Sequence, residues 1–348
     1  MNRVKSADLV GYGVAILRAL DVPADDAELV LDSLVQADLW GHQSHGMLRL
    51  PWYAARLSSG VMTAHTRPEV LVDGGALLLL DGRAGIGQVL TDTARREAVA
   101  RAREHGVGVV GVRNSNHFGT AMYYTRRAAA QGCVAVLTTN GSPAMAPWGG
   151  RRKTLGTNPW SIAAPAPTPS GTVAVDIANT AAARGKIYLA RNRGEPIPDT
   201  WALDSDGNRT TDPSDAIAGI ILPMAGHKGY AITFMMDVLS GALTGAETSP
   251  RVHGPYEPEK RSGAGHLFIA IDVAAMGATG DFLESVGRLV EDAKRSPLAA
   301  GHDEIFYPGE PEDRTATSNA AAGGVALPDR TRADLVELGS RFGISPTF

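Results

Sequence analysis

Cysteine is nearly missing from this chain. Cys133 is the only one among 348 residues, so no intrachain disulfide can form. It falls in the apolar run CVAVL, where a small buried thiol is the expected role. No basic head followed by an apolar stretch stands at the N-terminus, so no secretory signal is expected. A reducing cytoplasm is the expected location. Long hydrophobic runs are also missing. Tyr230 to Leu243 is the richest, but Thr233, Asp237 and Ser240 interrupt it and it is too short to span a bilayer. Neither charge sign dominates: 33 Lys and Arg stand against 37 Asp and Glu, a net charge of −4. That balance excludes the concentrated basic footprint of nucleic-acid or anionic-membrane binders. The one basic run, Arg151-Arg152-Lys153, reads as a solvated turn.

Several catalytic signatures are lacking as well. There is no G-x-x-x-x-G-K-[ST] phosphate loop, no H-E-x-x-H, no paired-cysteine spacing and no G-x-S-x-G elbow. A catalytic metal is therefore not expected. Ser44 and His45 are adjacent, which suits a nucleophile–base pair poorly. DGRAGIGQ, Asp81 to Gln88, has glycines between an apolar run and a helix. Their spacing reverses the dinucleotide fingerprint, so a turn leading into a helix is expected there.

What is present begins with helical texture over the first sixty residues. Ser6 is expected to cap a helix ending near Leu20, and Pro23 to start a second. Ala27, Val30, Leu31, Leu34 and Val35 form one buried stripe ended by Gly41. Six short apolar runs then read as buried strands: 70–72, 76–80, 107–112, 133–137, 161–164 and 173–177. Helices over 90–104 and 121–131 alternate with them. Residues 201–215 read as a loop, 229–245 as helix, and 267–273 as strand. An amphipathic helix carries Phe282, Leu283, Val286, Leu289, Val290 and Ala293. Residues 314–324 read as a loose surface segment and 332–342 as a last helix. The class is α/β or α+β, with C-terminal helices returning to N-terminal ones around an inserted sheet region.

Four polar constellations remain. In GHQSHGMLRLPWY, His45, Arg49 and Tyr53 are spaced by four, which places them on one face if helical. Pro51 requires the helix to begin nearby, so its start is expected at Ser44 to Met47 with Ser44 as cap. Arg49 suits a planar carboxylate, and His45 can exchange a proton near neutrality. A carboxylate beside an acid–base group is what a 2-hydroxy or 2-oxo acid site requires. An incidental surface His/Arg pair is the competing reading. VRNSNHFGTA sits at a strand–helix junction, where Gly119 and Thr120 suit an anion and His117 is an acid–base, ligand or capping residue. TNGSPAMAPWGG with LGTNPW forces irregular backbone after a strand. In AGHKGY, Lys228 at a glycine-flanked helix start suits a phosphate or is merely solvated.

Together these segments resemble the malate/L-lactate dehydrogenase family of the non-Rossmann type. That family includes ureidoglycolate, sulfolactate and diketogulonate oxidoreductases and the Δ1-piperideine-2-carboxylate reductases. SHGMLRLPWY, SNHFGTA, APWGG with LGTNP, DIANTAAARGKI, GHKGY and YPGEPED appear in the family's order over about 300 residues.

The resemblance implies a mixed, largely antiparallel sheet domain that holds a nicotinamide cofactor, NAD or NADP, without a Rossmann fold. It also implies a discontinuous helical domain and a homodimer. The expected division is 1–65 helical, 66–225 cofactor-binding sheet, and 226–348 returning to both. By resemblance His45 is the general acid–base, Ser44 its partner and Arg49 the carboxylate clamp, with Tyr53 beside it on the substrate side. His117 matches a residue that is a proton acceptor in some members and a cofactor contact in others. His117, Phe118, Gly119, Thr120 and Ala121 match a cofactor segment, as do Asp176, Ile177 and Ala178. His227 and Lys228, and Pro308, Gly309 and Glu310, match two more. Thr157, Arg184 and Gly185 match substrate contacts.

Two departures stand out. Asn179-Thr180 replaces the common Thr-Ser, which bears on cofactor preference. Lys186 stands where ketimine reductases carry an acid. The implied activity is therefore hydride transfer between the nicotinamide and C2 of a small 2-hydroxy acid, with cyclic imine reduction as the alternative.

Overall fold

The computed structural model describes residues 3–346 and Phe348. It opens with β1 (Arg3–Val4) and three helices, α1 (Ser6–Ala19), α2 (Ala24–Leu39) and α3 (Leu50–Ser58). Ser6 is not the cap of α1. Lys5 takes that position with extended backbone and no capping side chain, and Asp8 supplies the first-turn negative charge. The α2 stripe is buried as its spacing requires, with Ala27, Leu31 and Leu34 all fully enclosed. Beyond α2, Gly41 turns left-handed at φ +85° and releases the chain.

The central sheet has seven strands: β2 (Glu69–Asp73), β3 (Leu77–Asp81), β4 (Val107–Ser115), β5 (Cys133–Thr139), β6 (Trp160–Pro165), β7 (Thr172–Ile177) and β10 (Ala264–Asp272). Their order is β2-β3-β4-β10-β5-β6-β7. Only β3 and β4 run parallel; every other neighbouring pair is antiparallel. The sheet is thus mixed and largely antiparallel. Strand β10 is late in sequence yet central in space, pairing Phe268 with Val110 on one side and Leu137 on the other. Helix α4 (Gly87–His105) packs on β4 and β10, and α5 (Met122–Ala129) on β5, β6 and β7. The apolar core between them contains Leu90, Ala98, Val112, Tyr124, the buried Cys133 and Phe268.

One strand departs from expectation. Val70 and Val72 of β2 are 58% and 47% exposed, because β2 is an edge strand whose only partner is β3. Apolar composition identified the strand but not its burial.

The later chain forms α6 (Arg184–Arg193), β8 (Ala202–Leu203), α7 (Pro213–Ala218), β9 (Ile220–Ile221) and α8 (His227–Asp237). Residues 201–215 are therefore not plain loop. Asp212 caps α7 by accepting from Ser214 N, and β8 pairs with β9. These pieces enclose a small core of Ile187, Ile197, Ala202, Ala216 and Ile221. Helix α8 runs on into a π turn at Val238–Ala242.

After β10 come α9 (Val273–Met276), α10 (Thr279–Arg295), α11 (Glu310–Ala321), β11 (Val325–Ala326) and α12 (Asp329–Ser340). Helix α10 has its amphipathic stripe, but no residue of it is fully buried and Leu289 is 69% exposed. Residues 314–321, expected to be loose, belong to α11. Pro311 sits in its first turn with Glu310, Glu312 and Asp313, which complement the helix dipole. Arg314 then bonds Glu310 one turn back. β11 pairs with β1, and Leu335 and Leu338 of α12 enter the same core as Leu9, Leu31 and Leu50. The C-terminal helices thus pack on the N-terminal ones.

Candidate active site

The segment carrying His45 and Arg49 is not one helix. Gln43–His45 and Met47–Arg49 are single 3-10 turns, and α3 begins only at Leu50 with Pro51 in its first turn. Proline fixes where the α-helix can start, and the residues before it take tighter turns. Gly46 separates the two turns because a Cβ there would lie 2.1 Å from the Asp38 carboxylate. That buried carboxylate accepts from Met47 N at 2.8 Å, and burial pushes its pKa up to about 7. Ser44 caps nothing. Its hydroxyl lies 2.8 Å from His45 Nδ1.

Arg49 points its Nε at the Ser44 carbonyl, 2.6 Å away, and its guanidinium lies 4.3 Å over the Trp52 ring. Its two Nη groups make no hydrogen bond or ion pair among the described residues. This half-buried cation without a counter-ion is an open fork for a carboxylate.

His117 comes from the other side, past the end of β4. Its ring stacks on His45 with centroids 5.5 Å apart and planes inclined by 19°. The Tyr53 hydroxyl lies 2.7 Å from His117 Nδ1. Tyr53, expected on the substrate side, is thus bonded to a catalytic candidate. Burial, with Arg49 and His42 beside it, pushes the His45 pKa down to about 3. His117 is held well below the usual imidazole range by burial and then by Arg49 and His45. Both rings are therefore neutral near pH 7, and the Tyr53 phenol, raised by burial, stays protonated.

What fixes His117 explains the glycine run 81–88. A Cβ on Gly87 would meet the carbonyl oxygens of Asn116 and His117 at 2.3 and 2.4 Å. The glycine lets the start of α4 close directly on the chain that carries the histidine. Asn116 Nδ2 bonds the carbonyls of Ala84 and Gly85, at 3.1 and 2.8 Å. Its Oδ1 accepts from Arg56 Nη2 at 3.0 Å. Arg56 is 1% exposed and also holds the carbonyls of Glu257 and Lys260. That fixes the loop whose Tyr256 meets Trp52 edge to face. Sequence reading missed Arg56 and Asn116. The available signal was Arg56 three residues after Tyr53, on the buried face of α3.

The remaining predicted residues gather at a second place. Asp176 Oδ2 accepts from Thr120 Oγ1 at 2.6 Å and Met122 N at 2.9 Å, capping α5. Both bonds fall on one oxygen, so Oδ1 remains an open acceptor among the described residues. His42 Nδ1 lies 3.2 Å from Thr120 Oγ1. Just beyond Asp176, Ala178 leads to Asn179, whose carbonyl accepts from Met224 N at 3.0 Å. That brings residues 176–179 beside the segment leading to His227 and Lys228. Lys228 is exposed in the first turn of α8, whose N-cap is Gly226 without a capping side chain. Pro308 O accepts from Ala174 N, two residues before Asp176, at 3.0 Å. Gly309 O accepts from Arg126, and the Glu310 carboxylate bonds Lys294. Segments 117–121 and 308–310 thus meet 174–178 through direct hydrogen bonds, giving a rim at the end of β7, and 227–228 follow three residues beyond Met224, which bonds Asn179.

Thr157 belongs to this rim. Its carbonyl accepts from the Asn179 backbone N–H and from Asn179 Nδ2. Arg184 and Gly185 lie exposed at the start of α6, where burial and then Arg184 lower the Lys153 pKa. A cleft of about 460 Å³ opens between Ala146–Arg151 and Leu203–Pro223. None of its lining residues is a predicted site residue. Among the described residues no group of three His, Cys, Asp or Glu could hold a metal ion, and no helix is long and apolar enough to cross a membrane.

The arrangement offers an anion fork beside two neutral imidazoles, next to a rim with an open carboxylate and an uncapped helix. A family model described as malate/L-lactate dehydrogenase matches residues 4–336. The chain belongs to that family. L-sulfolactate dehydrogenase from Methanocaldococcus jannaschii is 40% identical over 301 residues, covering 86% of each chain. The solved sulfolactate dehydrogenase structure from that organism superposes with a TM-score of 0.94 at 36% identity, covering 99% of this chain and 98% of that one. The Δ1-piperideine-2-carboxylate reductase structure from Pseudomonas syringae superposes at 0.85 with 26% identity, covering 97% of this chain and all of that one. The family fold therefore accommodates both alcohol and imine chemistry, and the side chains must separate them.

Proposed function

We propose that this chain is a nicotinamide-dependent oxidoreductase that interconverts a small 2-hydroxy acid and its 2-oxo acid. The observation that carries the reading is the uncommitted Arg49 fork beside the Ser44-bonded, neutral His45. Arg49 holds the substrate carboxylate through paired hydrogen bonds. Ser44 Oγ accepts a hydrogen bond from His45 Nδ1–H, which leaves the lone pair of Nε2 to face the substrate hydroxyl. His45 then takes that proton as C2 gives up its hydride. In the reductive direction the carboxylate bound on Arg49 cancels a charge that disfavours the imidazolium. That makes it easier for His45 to carry the proton that it returns to the C2 oxygen as C2 takes the hydride.

The residues of the rim fit a nicotinamide dinucleotide. Lys228 and the uncapped start of α8 suit its phosphates, and the free Asp176 oxygen suits a ribose hydroxyl. When bound, the nicotinamide supplies or accepts the hydride. NAD and NADP both satisfy these contacts. The exposed apolar residues of β2, Val70, Leu71 and Val72, support the homodimer that the family resemblance implies.

The test is an absorbance screen of reduced-nicotinamide consumption with NADH and NADPH against 2-oxo acids and cyclic imino acids. Turnover of 2-oxo acids, including malate- and sulfolactate-type partners, is expected. Turnover of cyclic imines alone would overturn the reading in favour of an imine reductase. Lys186, exposed on α6 where an acid serves that chemistry, argues for the first outcome.

A further inference from the structure

His117 Nδ1 receives two donors. One is the Tyr53 hydroxyl at 2.7 Å, the other the Gly119 backbone N–H at 3.3 Å. An amide N–H can only donate, so Nδ1 must present its lone pair. The Tyr53 hydroxyl then has to donate too. In a neutral imidazole the ring hydrogen is left on Nε2, which makes no hydrogen bond among the described residues. Behind Tyr53 stands Gln88, 1% exposed on the first turn of α4. Its carboxamide approaches the Tyr53 hydroxyl, yet its Nε2 closes no hydrogen bond. A buried amide donor next to a phenol oxygen with spare lone pairs is an incomplete relay. Closing it would run from Gln88 Nε2–H to Tyr53 Oη–H to His117 Nδ1.

We propose that Gln88 and Tyr53 are positioning residues that lock His117 in its Nε2–H form, so that it offers the substrate a hydrogen-bond donor and not a base. The inference rests on the 2-oxo acid reading for the identity of the acceptor, which is the C2 oxygen. The lock itself does not depend on that reading. It also separates two stacked rings that composition makes equivalent. His45, bonded to Ser44, presents a lone pair and moves the proton. His117, bonded to Tyr53, keeps its proton and polarises the oxygen. The groups facing His117 are the His45 ring, Tyr53, the Gly119 amide, Arg49, Arg56 and His266. None of them is an anion that would favour a second ring proton.

The experiment uses full-length protein labelled with 15N-histidine. Long-range 1H–15N spectra report the ring tautomers, and the missing signals of a His117→Gln sample assign the residue. The wild-type ring is expected as Nε2–H with unprotonated Nδ1, unchanged between pH 6 and 8. Tyr53→Phe is expected to give a tautomer mixture and a kcat lowered about tenfold, as loss of one hydrogen bond to the ring allows. The KM for the acid should stay within about twofold. Gln88→Met is expected to shift both readouts the same way by less. A wild-type His117 protonated on Nδ1, or on both nitrogens at pH 7, would overturn the proposal. So would Tyr53→Phe raising KM while tautomer and kcat hold, since that is the behaviour of a substrate contact. If Tyr53→Phe does not fold, the wild-type and Gln88→Met spectra still decide. If no acid turns over, the tautomers still test the lock while the substrate reading fails separately.

Discussion

The crevice at His45 and the rim at Asp176 are built from opposite materials. The crevice holds two neutral rings and one guanidinium without a counter-ion, all drawn from residues 44–53 and 117. The rim holds carboxylates that are already bonded, from Asp176 on Thr120 and Met122 to Glu310 on Lys294, and its segments come from four distant parts of the chain. The crevice therefore lacks an anion that a ligand must bring. The rim, largely satisfied, offers a few remaining groups, Lys228 and one Asp176 oxygen. On the proposed reading, chemistry belongs in the first place and cofactor recognition in the second, because desolvated, unpaired charge responds most strongly to a bound ion.

Mutations on the two sides should separate accordingly. His45→Ala is expected to lower kcat by about 10²–10⁴-fold, the range for a lost general acid–base, with cofactor binding unchanged by fluorescence titration. Retained turnover would move the proton transfer out of the crevice. Arg49→Ala is expected to cost roughly 1.5–3 kcal/mol, about 10- to 100-fold in kcat/KM for the acid. Steady-state kinetics with the cofactor saturating checks this, and an effect on cofactor KM instead would merge the two regions. Lys228→Ala is expected to raise cofactor KM by about five- to tenfold, from loss of one charge-assisted contact. The KM of the acid should hold, and the effect should shrink at high salt.

The smallest effect concerns stability. His266 is 1% exposed between Thr139 and Ser115, and burial pushes its pKa down to about 3. His45 and His117 are lowered as well. An unfolded chain binds protons at all three as pH falls below about 6.5, while the folded chain does not. Their stabilisation is complete above that pH and is lost as pH falls toward 3. Asp38, raised to about 7, acts with the opposite sign: its contribution is present below its unfolded value and lost as pH rises through 7. Asp26 and Asp237, also raised, share the sign of Asp38, while the lowered carboxyls of Asp81, Glu257, Glu310 and Glu312 share that of the histidines, so the melting temperature should fall between pH 6.5 and 4. Calorimetry of His266→Gln should show a shallower decline.

How much of this was legible in the sequence differs between the regions. Ser44, His45, Arg49 and Tyr53 lie in one short segment, so local spacing named them. What spacing could not give was their backbone, because Pro51 delays α3 to Leu50 and leaves two 3-10 turns before it. Nor could it show that Tyr53 turns to His117, sixty-four residues away. In the rim, Pro308 and Asp176 were linked only through family resemblance. No periodicity predicts that Ala174 N bonds Pro308 O. Six strands were readable from valine-rich runs, yet β2 proved exposed because sheet order decides which strand is the edge. Helix α11 was hidden by its Ala, Thr and Ser content, and its stability comes from first-turn acids and Arg314.

The most direct measurement is a crystal structure with reduced nicotinamide cofactor and oxamate, a non-reducible 2-oxo acid mimic. The account predicts its carboxylate on the two Nη groups of Arg49 and its carbonyl oxygen between the Nε2 atoms of His45 and His117. An oxamate bound away from Arg49, or an Arg49 fork closed on a protein carboxylate, would contradict it.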